Sequence, residues 1–210
     1  KIIQSGMTIA RLNFSHGTYS EYKQIIADLK TASQQTGLPV KIMQDLSGPK
    51  IRTQNKLPIS LLADETIRLG KELKISHPEI LDNLKLNDRI LIDDGTITLK
   101  LIDIDQKTVQ VTNSCTIKPH KGVNFPDTKL NIPTITKKDR KDLEFGLKHK
   151  VDMIAQSFVQ NGSDIQELRE LSNNQVPIIA KIERPQAIDN LDDIATQADM
   201  LMVARGDLGV

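Results

Sequence analysis

Arg11, Asn13 and Ser15 alternate with the apolar Ala10, Leu12 and Phe14, so on an extended strand the three polar side chains share one face. The same spacing pairs Lys181 with Glu183 after the apolar Ile178-Ile179-Ala180, and Arg205 with Asp207 after Met202-Val203-Ala204. Asp45 follows the run Val40–Gln44, and Ser157 sits near the end of Val151–Phe158. Taken singly, each of these residues reads first as a solvated strand end. Their coincidence at the tails of five apolar runs favours a shared polar site. Ionisable groups inside near-continuous apolar runs, Lys181 above all, need partners or a function.

The residue types narrow the chemistry. Glu183 and Asp207 are hard oxygen donors with no His or Cys beside them, which suits Mg²⁺ or Mn²⁺ rather than Zn²⁺. Two carboxylates with Arg and Lys leave room for phosphate or carboxylate oxygens of a substrate, the layout of phosphoryl transfer. An acid–base pair for glycoside hydrolysis is the other reading of two carboxylates, and the adjoining cations argue against it because they hold both groups ionised. His16 follows Ser15 and could act as a base, but reads first as a turn residue, while His77, His120 and His149 sit in polar surroundings. Cys115 has no neighbour that would activate a thiol. Asp93-Asp94-Gly95 is first a hairpin turn, and Lys121-Gly122 an exposed loop within reach of a phosphate.

The elements that must position these groups follow from the spacing. The runs Thr8–Phe14, Val40–Gln44, Val151–Phe158, Pro177–Ile182 and Asp199–Ala204 predict five buried parallel strands, with amphipathic helices capped by Ser20, Thr136 and Ser163 and one opened by Pro185. The markers Ser15, Asp45, Ser157, Glu183 and Asp207 lie 30, 112, 26 and 24 residues apart. Three intervals are one βα unit long, and the second carries an excess of roughly 80 residues. Inside that excess the pattern turns all-β: Arg89–Ile92, Thr96–Ile104 and Thr108–Thr112 alternate with period two, joined by Asp94-Gly95 and Asp103–Lys107. Neither a glycine-rich dinucleotide loop nor a phosphate-binding P-loop occurs. Charged residues at the tails of several strands are the pattern of a barrel mouth. The fold expected is therefore α/β, a partial TIM (β/α)₈ barrel over 1–56 and 135–210, interrupted by a β-rich lid over 57–134.

Composition excludes several other classes. The 210 residues are 38% hydrophobic and 26% charged with a net charge of +1, which gives no electrostatic drive toward nucleic acid, and no apolar run is long enough to span a membrane. Four Phe, two Tyr and no Trp offer no base-stacking platform. The single cysteine fits a reducing, cytoplasmic setting. Lys1-Ile2-Ile3-Gln4 lacks the features of a secretory signal and a starting Met, so the chain is expected to begin partway into a longer protein. The triplets Asn13-Phe14-Ser15 and Asn161-Gly162-Ser163 are then chance glycosylation matches.

Five segments carry a family resemblance. Gly6-Met7-Thr8-Ile9-Ala10-Arg11-Leu12-Asn13-Phe14-Ser15-His16-Gly17, Asp45-Leu46-Ser47-Gly48-Pro49-Lys50-Ile51-Arg52, Lys121-Gly122-Val123-Asn124-Phe125-Pro126, Ala180-Lys181-Ile182-Glu183 and Met202–Gly209 closely resemble, in order, signatures of the pyruvate kinases. The resemblance runs over essentially all 210 residues. It implies a (β/α)₈ barrel with a mobile β lid after the third strand, and the reaction phosphoenolpyruvate + ADP → pyruvate + ATP.

By the same resemblance, Arg11 would hold the phosphoryl group and Lys181 would neutralise charge on it and on the enolate oxygen. Glu183 and Asp207 would bind Mg²⁺, with the Gly206 backbone at the substrate carboxylate. Arg52 and Lys121 would contact ADP phosphates, with Asn13, Ser15 and His16 lining that side. Asn13, Ser15, Asp45 and the Leu46 carbonyl stand where the family binds K⁺. Lys50 stands where glutamate is commoner, which implies that K⁺ is not required. A cytoplasmic homotetramer is implied for the full-length protein, while the unpaired edges and uncovered interior of a five-stranded part of a barrel lead us to expect aggregation and no turnover for this segment alone. A metal-dependent aldolase or lyase on the same barrel, or a non-catalytic remnant that binds phosphoenolpyruvate or nucleotide, are the competing readings.

Overall fold

The computed structural model describes residues 1–209. In chain order the elements are β1 (Ile9–Asn13), α1 (Tyr19–Thr36), β2 (Lys41–Asp45), β3 (Ile59–Leu61), β4 (Thr66–Arg68), β5 (Arg89–Ile92), β6 (Ile97–Asp103), β7 (Thr108–Val111), β8 (Cys115–Ile117) and β9 (Val123–Asn124). They continue with α2 (Lys137–Lys148), β10 (Met153–Gln156), α3 (Gly162–Leu171), β11 (Ile178–Ile182), α4 (Pro185–Asp189), α5 (Leu191–Gln197), β12 (Met200–Val203) and α6 (Arg205–Leu208). Among the described residues no helix is long and apolar enough to cross a membrane.

The chain divides into two compact units. The first, Lys1–Pro49 with Thr134–Ala204, is an α/β unit whose five strands run in the order β1-β2-β10-β11-β12, every pair parallel. Register follows from period two. Leu12, Phe14, Ile42, Leu46, Ile154, Ile178, Ala180 and Ile182 form one core with helix residues Tyr22, Ile26, Leu143, Ile165, Leu168 and Ile194. Met43, Met153, Ala155 and Ile179 form a smaller cluster with Met202 packed against it. Asp45 on β2 and Lys181 on β11 stand two residues beyond Met43 and Ile179 and therefore share the face of that smaller cluster, and Ser157 lies in the turn just past the end of β10.

The helix starts differ from expectation in two places. Thr18, not Ser20, caps α1, because its hydroxyl accepts the Glu21 N–H while the Glu21 carboxylate returns a bond to Thr18 N. Asn161, not Ser163, caps α3 in the same reciprocal way with Asp164. Thr136 caps α2 with Asp139, as expected. Pro185 opens α4, but that helix stops at Asp189 and a second begins at Leu191.

Gly146 in α2 lies against Gln44, where an added Cβ would meet the amide oxygen at 2.0 Å. Only glycine lets the helix approach β2 this closely, and Gln44 Nε2 uses the approach to reach the Asp142 carbonyl at 2.6 Å.

The second unit is Lys50–Pro133 together with the segment from Arg205 onward, against the expected boundaries of 57 and 134. Its strands form an antiparallel sheet β4-β7-β6-β5-β9 and a pair β3-β8 around Leu73, Ile80, Ile90, Ile92, Leu99, Leu101, Val109 and Ile117. The turn between β5 and β6 holds Asp93, Asp94 and Gly95 at φ of 56, 55 and 81°.

In the parallel sheet β1 and β12 have one neighbouring strand each. Leu201 and Val203 on β12 are 44% and 62% exposed, and Ile9 on β1 is 44% exposed. Open edges carrying apolar side chains associate. The 210-residue chain is expected to sediment as a concentration-dependent oligomer, and Leu201→Lys with Val203→Lys to shift it toward monomer. An unsubstituted chain that stays monomeric at all concentrations would contradict this.

Candidate active site

Parallel pairing aligns Asn13 with Asp45, and Asp45 with Ala155, and Lys181 stands one strand further on β11. Residues from four neighbouring strand ends therefore converge. Arg11 Nε donates to Asp45 Oδ2 at 2.7 Å, and the Arg11 side chain is 49% exposed. Lys181 Nζ donates to Ser157 Oγ at 2.8 Å and lies 2.7 Å from Glu183 Oε1 and 3.2 Å from Asp45 Oδ1. Three N–H bonds thus meet three acceptors, and Asp45, Ser157, Lys181 and Glu183 are all buried. Two cations face two carboxylates, so the cluster is self-neutral.

The backbone serves the same cluster. Phe158 N–H donates to Glu183 Oε2 at 2.8 Å, from a residue held at φ 59°. That conformation is strained by about 1–3 kcal/mol for a non-glycine residue. The Arg184 guanidinium lies 4.6 Å from the Phe158 ring centre and holds the residue from above. Ser157 Oγ–H donates to the Leu46 carbonyl at 2.7 Å, its nearer acceptor, with Asp45 Oδ1 at 3.4 Å. Gly48, at φ 63°, completes the turn after β2, where a Cβ would come within 2.7 Å of the Phe158 ring.

The remaining expected residues are distributed as follows. β1 ends at Asn13, and Ser15 lies in the turn beyond, its N–H donating to Asn13 Oδ1 at 3.0 Å. The three-residue strand face expected for Arg11, Asn13 and Ser15 therefore stops at Asn13. His16 is exposed in the same turn. Arg205 and Asp207 are not on a strand either: β12 stops at Val203 and both belong to the helical turn α6. Two residues apart on a helix point roughly 200° from each other, so they share no face. Gly206 and Asp207 are exposed. Among the described residues no three His, Cys, Asp or Glu side chains converge as a metal group.

Arg52, Lys121 and Lys50 belong to the second unit. There Arg52 bridges to Gly122 and donates from Nη1 to the His120 carbonyl at 2.8 Å, while Thr53 N–H donates to the Lys121 carbonyl. The two basic residues are thereby held on adjacent chain segments joined by an isolated bridge. Lys121 Nζ pairs with Asp93 Oδ1 at 2.8 Å. Ser76 Oγ donates to the Lys50 carbonyl at 3.3 Å.

Several residues here escaped the sequence reading. Ser157 was placed at the shared polar site without its part as acceptor of Lys181, and Asp93 was read as turn chemistry alone. Phe158, Lys138, Asp139 and Asp142 gave no separate signal.

The comparisons agree on one family. The family model described as pyruvate kinase, barrel domain, matches residues 1–210. A curated pyruvate kinase of Geobacillus stearothermophilus is 40% identical, covering 100% of this chain and 39% of the relative. One from Bacillus licheniformis is 37% identical with the same coverage. The crystal structure of a pyruvate kinase from Cryptosporidium parvum matches with a TM-score of 0.92 at 35% identity, over 99% of this chain and 47% of that one. The chain thus spans about two fifths of the length of these curated relatives.

Removing one member of a buried ion cluster leaves its partners uncompensated, typically at about 3–5 kcal/mol, whereas a half-exposed partner contributes about 1 kcal/mol or less. Asp45→Ala is therefore expected to lower stability in chemical denaturation several times more than Arg11→Ala. Equal losses would show that the cluster does not depend on the buried carboxylate.

Proposed function

The chain belongs to the pyruvate kinase family, and from that membership we propose that it forms part of an enzyme transferring the phosphoryl group of phosphoenolpyruvate to ADP, giving pyruvate and ATP. The observation that carries this reading is the buried Lys181 ammonium, held by Ser157, Asp45 and Glu183 beside the half-exposed Arg11 guanidinium. Catalysis of phosphoryl transfer is mostly positioning and charge neutralisation, and this cluster offers two fixed cations at one strand-end face.

In this reading Arg11 binds the phosphoryl group from its exposed side, and Lys181 stabilises charge on the transferring group and on the enolate oxygen left behind. The Gly206 backbone binds the substrate carboxylate. Glu183 keeps open lone pairs beyond its bonds to Lys181 and Phe158 N–H, and it and Asp207 are hard oxygen donors that suit Mg²⁺ or Mn²⁺. When bound, that ion supplies positive charge to the phosphoryl oxygens. Arg52 and Lys121, adjacent in the β unit, bind the ADP phosphates, and Asn13, Ser15 and His16 line the nucleotide side. The β unit is proposed to act as the lid. A cytoplasmic location and a homotetramer of the full-length protein complete the reading.

The test is a coupled assay of the full-length protein with phosphoenolpyruvate and ADP. Lys181→Met is expected to cut kcat by more than about tenfold and to leave phosphoenolpyruvate affinity within about tenfold, because the charge acts on the transition state. Retention of most of kcat would refute the assignment. Glu183→Gln should instead raise the Mg²⁺ concentration needed.

We also propose that K⁺ is not required. Oxygens expected to bind it each accept a protein hydrogen bond, Asn13 Oδ1 from Ser15 N–H, Asp45 from Arg11 and the Leu46 carbonyl from Ser157, so the ion would have to share them through their remaining lone pairs. The tethered ammonium of Lys50 supplies the monovalent charge. Two cations about 4 Å apart would repel by about 4 kcal/mol at an effective dielectric of 20. Activity with tetramethylammonium as the only monovalent cation should change less than about tenfold on adding K⁺, and Lys50→Glu should create a K⁺ dependence. Strong K⁺ activation of the unsubstituted enzyme would reject this.

A further inference from the structure

We propose that the first two turns of α2 are a positioning device for the site ends of β1 and β2, acting through Lys138, Asp139 and Asp142. The inference rests on the function proposed above. Lys138 Nζ donates to the Phe14 carbonyl, 124 residues away, at 2.6 Å, to Asp142 Oδ2 at 2.5 Å and to Ser47 Oγ at 3.4 Å. Its three N–H bonds are thereby used.

Asp142 is buried, and its other oxygen accepts the Tyr19 hydroxyl at 2.8 Å. Burial, then that hydrogen bond and the charge of Asp142, push the Tyr19 phenol up to about 12. Asp139 is buried as well. Its Oδ2 caps α2 through Thr136 N–H and hydroxyl, and its Oδ1 accepts Gly48 N–H at 3.1 Å.

One stretch of helix therefore grips Phe14, Ser47 and Gly48. These are the residues interleaved with the site: Phe14 lies between Asn13 and Ser15, and Ser47 follows Asp45 and Leu46. Phe14 N–H also donates to the Asp45 carbonyl at 2.9 Å, so the two strand ends are fastened to each other and both to α2. Side chains at these ends, Arg11 and Asp45, take their position from that fastening.

The Lys138 side chain is 56% exposed but that of its partner Asp142 only 1%, so losing the cation also costs stability by leaving a buried carboxylate without one. The positioning role is told apart from stability by local exchange and by rescue. The bonds of Lys138 to the site loops are the ones whose loss would let Phe14 and Ser47 shift, and a shift of about 1 Å at a reacting site can cost about a hundredfold in rate.

The experiment compares Lys138→Met and Lys138→Arg in the full-length enzyme by steady-state kinetics, hydrogen–deuterium exchange and thermal melting. Lys138→Met is expected to lower kcat about tenfold or more with the phosphoenolpyruvate KM within about threefold. Exchange should rise in residues 13–17 and 46–50 while β11 stays protected, and the melting midpoint should fall without the protein leaving its folded state at the assay temperature. Lys138→Arg should restore most of kcat, since it keeps a cation able to donate to the Phe14 carbonyl and Asp142 together. Where the Met variant fails to fold, Lys138→Gln replaces it, with the same pattern expected at smaller size. Unchanged exchange in the two loops, or a loss of kcat that accompanies global loss of protection and is not restored by arginine, overturns the proposal. Absence of turnover in the unsubstituted enzyme would refute the proposed function instead, and the exchange comparison would then decide this inference alone.

Discussion

The carboxylate of Asp45 is buried at the end of a parallel strand, and a charge there persists only if cations and hydrogen bonds meet it. Arg11 comes from the strand on one side. Lys181 comes from two strands away on the other side and is itself buried, so it needs Glu183 and Ser157 in turn. Glu183 then takes a backbone N–H from Phe158. Each group is present because the previous one could not be left unpaired. The cluster is thus a consequence of a single costly burial carried through to completion.

Parallel pairing makes that closure possible. Register fixes which residues stand level, and period two decides which face they share. The methionines Met43 and Met153 and the residues Ala155 and Ile179 form a buried apolar layer on that face. On the other face the helices must come close, which is why Gly146 meets Gln44 without a side chain of its own. Close approach of α2 also brings Lys138 and Asp139 within reach of the strand ends.

Alternation along the chain made the inward face legible. Polar residues at every second place marked Arg11, Lys181 and Glu183, position at the tail of an apolar run marked Asp45 and Ser157, and one long interval marked the inserted β segment. Two local signals were misread, and what depends on tertiary contact was not legible. Thr18 outcompeted Ser20 as a cap because Glu21 stands three residues after it, the reciprocal spacing that a helix start rewards. Arg205 and Asp207 have strand spacing in sequence, but β12 ends at Val203 and a helical turn takes over. The roles of Ser157, Asp93 and Lys138 lie in bonds to residues 111, 28 and 124 places away. No local pattern encodes a partner at such distance.

Self-neutrality has a consequence for binding. Lys181 has no N–H left over, so a phosphoryl oxygen that engages it must displace one of its three acceptors. Asp45 Oδ1, at 3.2 Å, is the longest of these contacts, while Glu183 and Ser157 at 2.7 and 2.8 Å are shorter. Asp45 is also the acceptor that keeps another cation when Lys181 turns away, since Arg11 remains on its other oxygen. The exchange therefore leaves no buried carboxylate without a cation, and the incoming anion takes the place of one already compensated. On the function proposed above, a site built this way would bind a dianion by trading partners rather than by holding an uncompensated positive charge in wait, which would be costly in the buried position that Lys181 occupies.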